Sequence, residues 1–196
     1  MNFYLFRFIL TTLFVTFVYS NLNSRDLIKD LQNTGNHSIF ISIIENNPLF
    51  LSIINNKVKS TIFAPTDNAF SAMPDVFSDD IKKNNTRVTT KLILSHIFNG
   101  DTLNENNNDK QSLVLSLDGS IYYTYELDDL FVKDIVIQGS PFISGNFRVI
   151  PVNCVMFLQP SSKDKRLDIE IRQKYSLTSC CLQTEVELED FYKGLN

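Results

Sequence analysis

The most constraining feature of the sequence is the stretch from Ser60 to Pro74, which reads Ser-Thr-Ile-Phe-Ala-Pro-Thr-Asp-Asn-Ala-Phe-Ser-Ala-Met-Pro. Its first residues are β-branched or aromatic, which favours a short buried strand. Pro65 has no backbone N–H for a sheet ladder and is therefore expected to end the strand. Thr66 or Asp67 can accept hydrogen bonds from the free N–H groups of a following helix, so either is predicted to cap it. The stretch predicts a strand, a sharp turn and the start of a helix.

The segments on either side of this stretch predict a chain with helices first and strands later. Ahead of it, residues 23–59 carry apolar positions at helical spacing, broken by Asn-rich turns. Behind it, another helix ends at Gly100, and a polar, exposed loop is predicted over 103–111. Asp118 and Gly119 form a strong hairpin signal. Strands are predicted at residues 113–117, 120–125 and 131–137, with a last one around 149–155.

Three blocks of the chain resemble the fasciclin-type (FAS1) adhesion domain. The first block matches the family pattern without a gap: Thr, an aliphatic residue, Phe-Ala-Pro-Thr, two variable residues and Ala-Phe. The helix around His96 resembles the middle motif, in which Tyr-His lies between aliphatic residues, although Ser95 replaces the Tyr. The block from Asn146 to Pro160 resembles the second signature, with Asn153 in place of Asp. The residues that carry the two signatures are Thr61, Phe63, Ala64, Pro65, Thr66, Ala69, Phe70, Asn146, Val149 and Asn153.

The resemblance implies an α+β fold, in which a twisted, mostly antiparallel β-sheet or wedge is packed with several short α-helices. We assign the FAS1 domain to residues 21–160 and treat residues 161–196 as a C-terminal tail of unknown structure. Leu167, Ile169 and Ile171 alternate with charged residues, which is typical of a strand. A docking segment, a swapped strand and a solvated tail all remain open for this part of the chain.

The N-terminal residues have the layout of a secretory signal peptide. Arg7 precedes an apolar run that is too short to span a bilayer comfortably, since spanning takes ~20 apolar residues. We therefore predict cleavage after Ser20 and an extracellular protein with only indirect membrane contact. Asn36 and Asn84 lie in Asn-X-Ser/Thr sequences and are predicted N-glycosylation sites. With a net charge of −4 and no basic stripe, the chain is not expected to bind nucleic acid.

The chain has three cysteines, Cys154, Cys180 and Cys181. Because the number is odd, at most one internal disulfide can form and one thiol is left over. Pairing of Cys154 with either Cys180 or Cys181 would tie the last residues to the core. The remaining thiol could link two copies of the chain in a homodimer.

No arrangement of residues in the sequence predicts catalysis, a metal site or a cofactor. Ser95 and His96 are neighbours on a helix and point about 100° apart, so they cannot form a nucleophile–base pair. In the FAS1 family the Tyr-His region is associated with receptor binding. The residues that could carry this role here are Ile93, Ser95, His96, Ile97 and Phe98. The alternative is that His96 is a buried histidine with hydrogen-bonded ring nitrogens.

The resemblance implies a secreted adhesion-type protein without enzymatic activity. Its partners would be cell-surface receptors such as integrins, matrix components or a second copy of itself. Two other functions stay open: a secreted modulator or decoy that interferes with another organism's cell adhesion, and a carrier of a small apolar ligand.

Overall fold

The computed structural model describes residues 26–55, 59–99, 111–115, 121–127 and 130–195. Three predicted features lie outside these ranges, namely the signal peptide, the polar loop up to Lys110 and the Asp118-Gly119 turn. The two strands that flank this turn do pair antiparallel, with Leu115 opposite Ile121.

Within the described ranges the chain forms eight α-helices, nine β-strands and a 3-10 turn. The α-helices are α1 (26–34), α2 (Ser38–Glu45), α3 (Pro48–Asn55), α4 (Asp67–Ser71), α5 (Asp75–Lys82), α6 (Thr86–His96), α7 (Ile169–Lys174) and α8 (Glu185–Lys193). The strands are β1 (Ser60–Pro65), β2 (Ile97–Asn99), β3 (Gln111–Leu115), β4 (Ile121–Leu127), β5 (Leu130–Val136), β6 (Phe142–Ser144), β7 (Phe147–Val152), β8 (Met156–Pro160) and β9 (Leu177–Cys181). The 3-10 turn spans Ser161–Lys163.

The strands form two sheets, with the orders β2-β1-β7-β6 and β3-β4-β5-β9-β8. In each sheet one neighbouring pair is parallel, β1 with β7 and β5 with β9, and the other described pairs are antiparallel. This agrees with the predicted α+β fold and its mostly antiparallel strands. The division into two sheets, each with an internal parallel pair, was not predicted.

Strand β1 is buried over its full length and contributes to two apolar clusters. Ile62 and Ala64 belong to the larger cluster, in which the helices pack against the sheets and which we call the helix-side cluster. Phe63 belongs to the smaller cluster, which is formed mainly by strands of the two sheets. The split follows the pleat, because successive side chains of a strand point to opposite faces. Phe70, at the other end of the signature, lies in the helix-side cluster. Phe63 and Phe70 therefore lie in different apolar clusters.

The predicted cap of helix α4 is wrong. Thr66 occupies the N-cap position, but its side chain makes no capping hydrogen bond, and its buried hydroxyl has no hydrogen-bond partner among the described residues. The Asp67 carboxylate instead accepts hydrogen bonds from the backbone N–H groups of Ser38 (3.2 Å) and Ile39 (2.9 Å), and from the Ser38 hydroxyl (2.8 Å). Asp67 thus caps helix α2, about thirty residues earlier in the chain, because its carboxylate accepts hydrogen bonds from the free N–H groups at the start of that helix. Burial raises the pKa of Asp67, but the bonds from Ile39 and Ser38 outweigh this effect, so the net pKa is lowered.

Pro151 lies in strand β7, which is an internal strand of the four-stranded sheet, although proline is usually confined to edge strands and bulges. Strand β6 pairs with β7 only as far as Val149, so Pro151 faces no β6 residue. The Pro151 carbonyl accepts a hydrogen bond from the N–H of Gln138 at 2.8 Å. Proline is tolerated here because strand β6 has already ended, so the sheet needs no backbone N–H from residue 151 on that side.

Residues 161–195 pack into the domain and do not form a solvated tail. Strand β9 is inserted between β5 and β8, and Phe191 of helix α8 is fully buried in the helix-side cluster. The predicted strand around Ile169 is wrong, since helix α7 begins there. Glu170 in the first turn and Arg172 in the last turn of α7 interact favourably with the helix dipole. These charges favour a helix, although the alternation of apolar and charged residues favours a strand.

Candidate functional site

Helix α6 and the strand β2 that follows it carry the residues predicted to bind a partner, and the apolar face of the helix is directed into the protein. Leu92, Ile93, Ser95 and His96 are buried. The helix contacts strand β8, which is the edge strand of the five-stranded sheet. An edge strand leaves alternate N–H and C=O groups without a ladder partner, so the helix covers groups that would otherwise be exposed.

His96 and Ser95 accept hydrogen bonds from this strand edge. The N–H of Met156 donates to Nε2 of His96 at 2.9 Å, and the N–H of Leu158 donates to Oγ of Ser95 at 3.3 Å. Nδ1 of His96 lies 2.7 Å from the Leu92 carbonyl, one turn earlier in the helix. Since a carbonyl only accepts, Nδ1 carries the proton and Nε2 is free to accept, which defines the neutral tautomer.

The environment of His96 keeps its ring neutral. Burial lowers the pKa of His96 to about 4, although the nearby Leu92 carbonyl partly opposes this effect. A protonated ring could not accept the Met156 N–H, so the neutral form is the one that holds the strand edge. Of the two interpretations of His96 from the sequence, the buried and hydrogen-bonded histidine is confirmed.

The residues predicted to bind a partner lie mostly in the interior of the protein. Ile93, Ser95, His96 and Phe98 are buried, and Ile97 is half-buried. These side chains join the helix to the sheets and leave little surface for a partner. Ser95, which replaces the family's Tyr, has a structural role because it accepts the Leu158 N–H.

The accessible side of helix α6 is the face opposite to His96. Arg87 and Leu94 are exposed there and lie seven residues apart, which places them on one side of the helix. Leu94 keeps half of its surface in contact with solvent (50%). The other large apolar side chains that the described part of the chain exposes are Leu49, Val76, Ile143, Ile169, Leu177 and Val186.

Most of the signature residues are buried or take part in backbone hydrogen bonds between segments. Ala64, Ala69 and Val149 are buried in the helix-side cluster, as are their signature neighbours Ile62 and Phe70. The second signature acts partly through its backbone. The Asn146 carbonyl accepts from the Ser60 N–H at 3.2 Å, and the Asn153 N–H donates to the Val136 carbonyl at 3.0 Å. The Thr61 and Pro65 side chains are also buried within β1.

The structure selects one of the two disulfides that the sequence allowed. Cys154 is bonded to Cys181, with their Cα atoms 5.4 Å apart, and this bond joins the end of β9 to the loop that precedes β8. Cys180 remains a free, partly buried thiol beside Arg166. Burial raises the pKa of Cys180 to about 12, although Arg166 opposes this effect. The thiol is therefore protonated at physiological pH and a weak nucleophile, which does not favour a homodimer through this cysteine.

The two predicted glycosylation sites both lie at the surface. Asn36 and Asn84 are exposed. Asn84 has a positive φ of 52°, a left-handed conformation that Asn tolerates better than most residues. The hydroxyl of Ser38, which completes the first acceptor sequence, is bonded to Asp67, whereas Thr86 of the second is exposed.

Arg166 forms a polar cluster that the sequence did not predict. Its guanidinium donates to both carboxylate oxygens of Asp164 at 2.8 and 2.9 Å, and it also contacts Glu187 of helix α8. Glu187 accepts as well from the N–H of Thr184, as part of a capping box. The Thr-x-x-Glu spacing was the sequence signal for this helix start.

The described residues contain no cluster that suggests metal chemistry. Among them, no group of three or more His, Cys, Asp or Glu could hold a metal ion. None of the helices in the same part of the chain is long and apolar enough to cross a membrane.

Comparisons with known proteins identify the family. The family model of the fasciclin domain matches residues 35–157. The chain belongs to the fasciclin domain family, and its fold is FAS1-like. Fifteen chains of solved structures match, among them a FAS1 domain pair from fasciclin I, an insect cell adhesion molecule, with 18% identity and a TM-score of 0.38. That match covers 60% of this chain and 43% of the other, so this chain spans less than half of that structure. No curated protein matches the chain.

Proposed function

We propose that the protein is secreted and mediates protein–protein contacts at a cell surface or in the extracellular matrix. The observation that carries this proposal is the fasciclin domain match over residues 35–157, because this domain is associated with cell adhesion. The partner would be a cell-surface receptor, a matrix component or a second copy of the chain. The proposal includes no catalytic step.

The contact surface would include the exposed side of helix α6, since the face around His96 is occupied by strand β8. Leu94 offers an apolar side chain in the last turn of this side, and Arg87 offers a positive charge two turns earlier. Interfaces are commonly built from an apolar centre with Arg close by. The carrier alternative has less support, because two cavities among the described residues measure about 290 and 160 Å³ and are lined by mixed polar and apolar groups.

A cell-attachment assay tests the proposal. Plates coated with the secreted protein should retain more cells than plates coated with albumin, and soluble protein added in excess should compete. Attachment no greater than on albumin would contradict the adhesion function. Competition by soluble protein without attachment to the coated plate would instead favour the modulator.

A pair of variants tests the contact surface. Leu94→Asp places a charge on the exposed side of α6 and should reduce attachment several-fold. Val186→Asp places the same charge at an exposed position of helix α8 and should leave attachment unchanged. Both positions are exposed, so neither variant should unfold the protein. Equal attachment by the two variants would exclude the α6 side as the contact surface.

A further inference from the structure

Helices α2 and α5 border a groove with a volume of about 290 Å³. Ile39, Ile43 and Ile81 contribute apolar side chains to its walls, and Ser42 is among its polar lining residues. Ile39 and Ile81 are only half-buried, so water still reaches apolar surface in the groove. The volume lies just below the range of ~300–1,000 Å³ for small-molecule sites, which suits a small cyclic group better than a protein segment.

Asn84 is one of the residues that line this groove. It is the acceptor of an Asn-X-Thr sequence, and it lies in the short connection between α5 and α6. Its side chain and that of Thr86 are both exposed. A sugar attached to Asn84 would therefore begin beside the groove. Asn36, the other predicted acceptor, does not line the groove.

We propose that Asn84 carries an N-linked glycan whose first N-acetylglucosamine lies in the groove between α2 and α5. The ring of this sugar has an apolar face of C–H groups, which matches Ile39, Ile43 and Ile81. Its hydroxyl and acetamide groups can bond to the polar lining residues, such as Ser42. The covalent bond keeps the sugar at a high effective concentration near the groove, so weak contacts are sufficient to hold it there.

The attachment is an ordinary group transfer in the secretory pathway. A bond forms between Nδ2 of Asn84 and C1 of the sugar, while the bond from C1 to a lipid-linked diphosphate breaks. The amide loses one proton, and the diphosphate leaves with the electron pair of the broken bond. The proposal rests on the secretion that is part of the proposed function, because the lipid-linked donor is supplied in that compartment.

Substitutions at Thr86 test the proposal without changing the left-handed Asn84. Thr86→Ala removes the acceptor sequence, whereas the matched control Thr86→Ser keeps it. The proteins are expressed in secreting eukaryotic cells. Intact mass reports the glycan, and amide hydrogen exchange reports the opening of α2 and α5. We expect Thr86→Ala to lose the mass of one glycan and to exchange several-fold faster in α2 and α5, while Thr86→Ser matches the unsubstituted protein. Asn36→Gln should leave exchange in α5 unchanged.

Three results would overturn the proposal. An unchanged mass of Thr86→Ala would mean that Asn84 carries no glycan. A lost glycan with unchanged exchange would mean that the sugar extends into solvent. Equally fast exchange in Thr86→Ser would assign the effect to the start of helix α6. None of these readouts depends on cell attachment, so a failure here is distinguishable from a failure of the adhesion function.

Discussion

The signature stretch from Ser60 to Phe70 and the C-terminal segment, residues 161–195, contribute to the same core in different ways. The signature stretch has a recognisable order of residues and supplies an internal strand, β1, to the four-stranded sheet. The C-terminal segment lies beyond the family match, which ends at residue 157, yet it supplies the internal strand β9 and the fully buried Phe191. The comparison teaches that a segment without a family motif can be as integral to the core as the segment that identifies the family.

The largest expected effect comes from truncating one core aromatic residue in each region. Phe63→Ala and Phe191→Ala should each lower the free energy of unfolding by about 3–5 kcal/mol, because each side chain is almost fully buried. The urea midpoint measures this loss. Val186→Ala, at an exposed position of the same helix as Phe191, serves as the control and should change little. A loss confined to Phe63→Ala would mean that the C-terminal segment is only loosely attached.

Removing the Cys154–Cys181 disulfide should have the next largest effect. The bond joins residues 27 positions apart in sequence, and loop-closure entropy predicts a stabilisation of about 3–4 kcal/mol for a loop of this size. The double variant Cys154→Ala/Cys181→Ala should therefore unfold at lower urea, whereas Cys180→Ala should change little. Peptide mapping without reduction gives an independent check. A bond between Cys154 and Cys180 would contradict the assigned connection between the two regions.

The contact of helix α6 with strand β8 should make stability depend on pH. The folded pKa of His96, about 4, lies below its unfolded value of 6.5. The contribution of His96 to the free energy of unfolding is therefore fully present above pH 6.5. This contribution, on the order of 3 kcal/mol, is lost as the pH falls towards 4. Burial also lowers the pKa of His37, which acts in the same direction. The pKa of Asp67 is also lowered, and this group adds a loss of stability only below about pH 3.8, its ordinary pKa.

The variant His96→Gln separates this histidine from the other titrating groups. Glutamine offers the Met156 N–H an acceptor but does not titrate. Urea midpoints measured between pH 7 and pH 4 should fall less steeply in this variant than in the unsubstituted protein. Identical pH profiles would show that His96 does not hold the strand edge in its neutral form.

The smallest expected effect tests the contact between the signature stretch and helix α2. Asp67→Ala removes the acceptor for the Ser38 and Ile39 N–H groups and should cost about 1 kcal/mol, the usual loss for an N-cap. The neighbouring exposed Asn68→Ala should have no comparable effect in the same denaturation series. If the two variants are equally stable, Asp67 does not cap α2.

Features set by neighbouring residues were predictable from the sequence. The strand and its stop at Pro65 follow from side-chain type and from the N–H that proline lacks. The strands on either side of the Asp118-Gly119 turn were also predicted. The strand prediction near Ile169 failed because six residues fit both an alternating and a helical pattern, and only packing chooses between them.

Features that depend on distant partners could not be predicted. His96 was a candidate for both binding and burial, because the sequence does not show that the Met156 N–H lies beside its ring. The choice between Cys180 and Cys181 depends on the face of β9 that each thiol occupies, and this requires the register with β8. The groove beside Asn84 likewise exists only when α2 and α5 lie together.

The sequence by itself determined the family, the α+β class and the strand–turn–helix at Ser60–Phe70, because these follow from local residue order. The tertiary structure alone decided which groups meet: Asp67 with helix α2, His96 with strand β8, and strand β9 between β5 and β8. The physical reason is that hydrogen bonds and burial depend on which atoms are close in space, and a strand or helix pattern does not specify its partners.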